Sequence, residues 1–172
     1  MGLFYLLPSL PMLGFDTQPG ITPEAFLATC REQLSASDAS AAEALLEGRA
    51  AEHPFVEAWL DKEAILRNAV ARQRARAAGT EVSKWQRGTQ GCDSQIEVGV
   101  DDAFLESDPL KKEKALDKVR WVAAEDLQGP DPLSIKAVFA YAVKLAILSR
   151  WQALSEASGQ ANVETLTRIP TL

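Results

Sequence analysis

The chain has 172 residues, 47% of them hydrophobic and 24% charged, the balance of one globular domain that buries a core without disulfides or metals. Acidic residues outnumber basic ones by 24 to 18, and a net charge of −6 is a poor match for the phosphate neutralisation that general nucleic-acid binding needs. Two cysteines, Cys30 and Cys92, do not make a secreted disulfide framework, so a cytoplasmic location is expected.

The start, MGLFYLLPSLPMLGF, is apolar but has no basic lead-in, and Pro8 and Pro11 interrupt it, so it does not read as a signal peptide. Residues 3–7 are expected to be a short strand or a buried extended segment, since the two prolines disfavour regular helix. Thr22 then opens the first helix as its N-cap, with Pro23 at the first helical position and Ile21 and Phe26 spaced as a hydrophobic staple. Phe26, Leu27, Cys30 and Leu34 form its inward face. A second, short helix is expected after Ser37, with Ala42, Leu45 and Leu46 inward and Gly48 as its stop.

Pro54 and Gly79 bracket a long third helix in which Phe55, Trp59, Leu66, Ala69, Val70 and Ala77 recur near helical spacing. His53, the only histidine, reads as a helix-start residue. Glu63 and Arg67 form an (i, i+4) pair in the favourable order. Asn68 lies among inward positions and either bonds across helices or faces water. Arg72, Arg74 and Arg76 match the negative end of the helix dipole. With Lys84 and Trp85 they are also a candidate partner surface, suited to an acidic partner.

Residues 79–99 carry four glycines in a polar run and read as a flexible Gly-rich loop. Asp101 to Glu106 reads as a helical turn. Asp108 and Pro109 open a helix to Gln128, with Leu116, Val119, Ala123 and Leu127 on one face and Gly129–Pro130 as its stop. Asp117 and Glu125 are the expected ion-pair partners of Arg120. The carboxylates of the doublets Asp101–Asp102 and Glu125–Asp126 sit next to helix ends and read as solvated.

The most apolar stretch is Ser134 to Leu154. Val138, Phe139, Ala142, Leu145, Ala146 and Ala153 form one stripe, and Tyr141, Leu148 and Trp151 fill much of the rest. A helix so apolar around its circumference is central to a bundle. The short turn before it makes it an antiparallel partner of the preceding helix. Its lysines and arginine, and the lack of any uninterrupted apolar run of about 20 residues, argue against a membrane span. Gly159 is the expected end of this helix, and residues 160–172 form a tail. Trp59, Trp121 and Trp151 read as shared core.

The expected architecture is therefore all-α: one helical bundle over residues 1–172, with two or three long helices and a short extended N-terminal segment. No catalytic constellation is evident. One histidine completes no triad, no metal-ligand spacing occurs, and neither a GxxxxGK[ST] loop nor a GxGxxG turn is present. The expectation is no catalytic residue, no metal and no cofactor.

Five segments occur in a characteristic order: FYLLPSLPMLGFD, ITPEAFLATC, ILRNAVARQRARAAG, EKALDKVRWVAAEDL and IKAVFAYAVKLAILSRWQAL. Together they resemble a family of small uncharacterised bacterial proteins encoded among the subunit genes of V-type ATPases. Leu116–Asp117, Arg120–Trp121, Glu125 and the run from Tyr141 to Trp151 carry the resemblance most strongly, while residues 80–99 depart from it. The resemblance implies a non-catalytic V-type ATPase subunit or assembly factor, similar to the all-helical connector that joins the central stalk to the membrane ring. Its partners would be other ATPase subunits. It would sit at the cytoplasmic side, peripheral to the inner membrane through the complex, with no insertion of its own. A free-standing helical adaptor with an unrelated partner is the alternative from the residues alone.

Overall fold

A computed structural model describes residues 3–81, 88–89 and 91–154. Its seven helices are α1 (Leu3–Ser9), α2 (Pro23–Gln33), α3 (Ala36–Glu47), α4 (Pro54–Ala78), α5 (Ser94–Ala103), α6 (Pro109–Gln128) and α7 (Ile135–Ala153). The architecture is all-α, with no strand among the described residues.

Local chemistry sets most of the boundaries. Thr22 Oγ1 accepts from the Ala25 N–H at 3.2 Å, and Pro23 follows it. His53 caps α4 through Nδ1, which accepts from the Phe55 N–H at 3.1 Å. Asp108 accepts from the Leu110 N–H at 2.9 Å ahead of Pro109. Gly48 and Gly79 close α3 and α4 in the left-handed region, at φ 66° and 65°, where a Cβ would be strained.

Helix α7 occupies the centre. Its buried residues Val138, Phe139, Ala140, Ala142, Val143, Leu145, Ile147 and Leu148 cover most of its circumference, as expected of a helix wrapped by neighbours. It packs against α3 and against α6, to which it runs antiparallel, Lys144 meeting Glu125 and Arg150 meeting Asp117. Helix α5 bridges α4 and α6, and α2 seats Phe26 on Tyr141, ring centroids 5.3 Å apart. The Tyr141 hydroxyl donates to the Pro11 carbonyl at 2.8 Å and fastens the N-terminal loop to α7. Burial pushes the Tyr141 phenol up to about 12.

Four expectations need correction. Residues 3–7 are helical rather than a strand or extended segment; Pro8 lies in the last turn of a seven-residue helix, where its missing N–H forfeits one intrahelical bond, and the helix ends one residue later. Leu6 at 0% exposure anchors that turn, and the chain becomes non-helical only after it. The cap of α3 is Ser35, not Ser37: its Oγ accepts from the Asp38 N–H at 3.1 Å. Ala77 and Ala153 are exposed, and Ala75 takes the inward place on α4.

The fourth concerns the supposed loop. Residues 94–103 form α5, so neither a loop to residue 99 nor a turn beginning at Asp101 describes them. Asp93 caps α5 by accepting from the Gln95 and Ile96 N–H groups at 3.0 and 3.2 Å, and Ile96, Val100 and Ala103 form its buried stripe. Gly99 is there for closeness: a Cβ added to it would lie 2.7 Å from Val119 Cγ2 on α6. Gly99→Ala should therefore lower stability in urea by about 1 kcal/mol, since overpacking of about 1–3 kcal/mol outweighs a helix-propensity gain of about 1 kcal/mol. A gain in stability would show that the two helices are not in tight contact.

Gly159, the expected end of α7, and residues 160–172 lie outside the described residues, as do Lys84 and Trp85.

Candidate functional site

The most buried charge among the described residues is Asp117, at 0% exposure. A carboxylate removed from water needs hydrogen-bonding partners, and three side chains supply them. Arg120, one turn along α6, donates from Nη1 to Oδ1 at 2.9 Å. Trp151 of α7 donates from Nε1 to Oδ2 at 2.7 Å, and Arg150 Nη2 donates to the same oxygen. Arg120 also donates from Nε to Glu63 Oε1 on α4 at 2.7 Å, and Glu63 holds Arg67 at 3.3 Å. The chain of contacts Arg67–Glu63–Arg120–Asp117–Arg150 thus crosses three helices.

Burial works against the charge on Arg120, but the Glu63 and Asp117 carboxylates outweigh it and raise its pKa above the ordinary guanidinium value. Arg120 is therefore a permanent cation. Both Asp117 oxygens accept hydrogen bonds from within the fold. The arrangement suits fixing the register of α4, α6 and α7.

A second polar cluster lies one to two turns along α6. Glu125 Oε1 accepts from Trp121 Nε1 and from Lys144 Nζ, each at 2.9 Å, and Lys144 stands 5.0 Å from the Trp121 ring centroid. Partial burial raises the Glu125 pKa, and the Lys144 and Trp121 contacts more than reverse this, leaving it lowered. Glu125, still 48% exposed, is thus the partner of Lys144 and not of Arg120, which turns to Glu63; a contact across 57 residues has no signature in local spacing.

The lowered carboxylates make stability depend on acid. Asp93 is lowered too: burial raises it, and Lys62 with the Ile96 and Gln95 N–H groups overcomes that effect. Such a group stabilises the fold above its unfolded pKa of about 4, and that stability is lost as pH falls through the folded value. Asp93→Asn should therefore flatten the acid limb of a stability–pH curve below about pH 4 relative to the parent. An unchanged limb would show that Lys62 and the two N–H groups do not together lower Asp93 in solution.

Among the described residues the sequence-predicted surface arginines do not share one contact. Arg72 donates from Nη2 to Glu97 of α5 at 2.7 Å, and Arg74 lies 3.9 Å from Glu113 of α6. Arg76 is exposed on the last turn of α4. Asn68 is 7% exposed, which decides for burial. Trp59 and Trp121 are core residues, whereas Trp151 is half-buried, and its role comes through its N–H to Asp117. Among the described residues no group of His, Cys, Asp and Glu could hold a metal ion, and no helix is long and apolar enough to cross a membrane.

The fold and this centre define a class: an all-helical bundle whose most deeply buried polar cluster joins three helices. Residues 99–169 match a family described as Protein of unknown function (DUF2764). The match begins inside α5, takes in α6 and α7, and spans under half of the chain. It includes Asp117, Arg120, Glu125, Arg150 and Trp151, but not Glu63 or Arg67. Neither the curated proteins nor the solved structures contain a match to this chain.

Proposed function

We propose that the protein is a non-catalytic part or assembly factor of a V-type ATPase, acting as a helical connector between the central stalk and the membrane ring. The observation that carries this reading is the ordered set of five segments, which resembles the family encoded with ATPase subunits. The side chains that carry the resemblance most strongly also meet in space: Asp117, Arg120, Arg150 and Trp151 form one centre, and Trp121, Glu125 and Lys144 the other. Such cross-linked, well-packed helices give a connector the stiffness that transmitting torque requires. On this reading Arg72, Arg74 and Arg76, with Lys84 and Trp85, remain the proposed partner surface. Of the three arginines, Arg76 is the one with no ion-pair partner among the described residues.

Affinity purification of the chain at its native level from its own membranes should bring down the catalytic and stalk components of the ATPase. Their clean absence would defeat the reading. A free-standing helical adaptor with an unrelated partner is the alternative reading. Recovery of a stoichiometric partner unrelated to any ATPase would establish it.

A further inference from the structure

Beside the ion centre a cleft of about 330 Å³ opens between α3, α4, α6 and α7. Leu46, Trp59, Leu60 and Ile147 contribute apolar walls, and Arg67, Arg120 and Arg150 line it as cations. Its acidic residues are Glu47, Glu63 and Asp117. Glu47 is held by Arg49, so those two charges cancel. That leaves three guanidinium groups against two carboxylates. Arg120 contacts both carboxylates, so the surplus positive charge falls on Arg67 and Arg150.

Those two side chains have donors to spare. A guanidinium carries five N–H donors. Among the described residues Arg67 meets only Glu63, through Nε, and Arg150 makes one side-chain hydrogen bond, from Nη2 to Asp117. Their side chains are 54% and 49% exposed, and they face the cleft from α4 and α7. We propose that this cleft is a binding site for a carboxylate carried on an apolar stem. The carboxylate meets the free edges of Arg67 and Arg150, and the stem lies against Trp59, Leu60 and Ile147. A single negative charge matches the surplus, whereas a phosphate dianion exceeds it. The carboxylate can belong to a free organic acid or to a side chain of a partner protein. The inference does not rest on the ATPase reading.

The test is a titration of the isotope-labelled full chain followed by NMR at the Trp59 indole N–H and the Ile147 methyls. The probes are sodium octanoate, the blocked tripeptide acetyl-Leu-Glu-Leu-amide, and octanol as the uncharged control. At least one carboxylate probe should give saturable shifts at both reporters, and octanol should not. Arg67→Gln should weaken that binding about tenfold, the loss expected for one charge-assisted contact, while thermal unfolding confirms that the variant is folded. If Arg67→Gln does not fold, Arg150→Lys, which retains a cation near Asp117, should weaken binding in the same sense. Saturation by octanoate alone assigns a free acid, and saturation by the peptide alone assigns a carboxylate on a partner. No saturable shift with either, equal binding of octanol, or undiminished binding by the folded variant overturns the proposal.

Discussion

Asp117→Ala should lower unfolding stability by about 3–5 kcal/mol, a large part of the total for a domain of this size. The carboxylate is 0% exposed and accepts from Arg120, Arg150 and Trp151. Removing it leaves those donors without their acceptor, and the consequences differ. Arg150, half-exposed, can turn to water, whereas the Arg120 side chain is 18% exposed and keeps only Glu63. The half-buried Trp151 N–H loses its one acceptor among the described residues. Arg150→Gln should accordingly cost only about 1 kcal/mol, in the range of a surface ion pair. Urea unfolding measures both, and unchanged slopes would show that folded-state stability is what moved. A loss below about 1 kcal/mol for Asp117→Ala would mean that water reaches the carboxylate site, and the centre would then not join the helices.

Phe139→Ala should be of similar severity, about 3–5 kcal/mol, by a different route. Phe139 is 0% exposed on α7, where truncation leaves a cavity that a packed bundle closes only in part. Its ring centroid lies 4.7 Å from that of His53, in an edge-on arrangement, and 5.2 Å from that of Phe55. His53 is also the N-cap of α4. The variant should therefore speed hydrogen exchange at the amides of the first two turns of α4 more than at its C-terminal turns. Uniform acceleration along α4 would instead assign the loss to global stability and separate the ring contacts from the cap.

Much of this arrangement is legible from local chemistry. Capping residues followed by proline mark the starts of α2, α4 and α6, and an apolar run marks α7 as central. These signals act within one helical turn, or through the period of one helix, so they are present in the sequence without any partner. The errors have a common origin in residues whose role depends on a neighbour. Gly99 resembles loop punctuation until Val119 is placed against it. Pro8 resembles a helix breaker until Leu6 is seen to be buried. Glu125 reads as a partner of Arg120 until Lys144 comes beside it from α7.

The ion centre divides in the same way. Asp117 with Arg120, and Glu63 with Arg67, are pairs within one helix and can be read from spacings of three and four. That the two pairs fuse into one centre, closed by Arg150 and Trp151, follows only from the packing of three helices. The sequence by itself determined an all-helical chain, the identity of its central helix and most helix starts, because hydrogen-bond capping and apolar period are local. Tertiary structure alone decided which charges are buried, which glycine is a contact and where a cleft opens, because burial and long-range ion pairing are properties of juxtaposed helices.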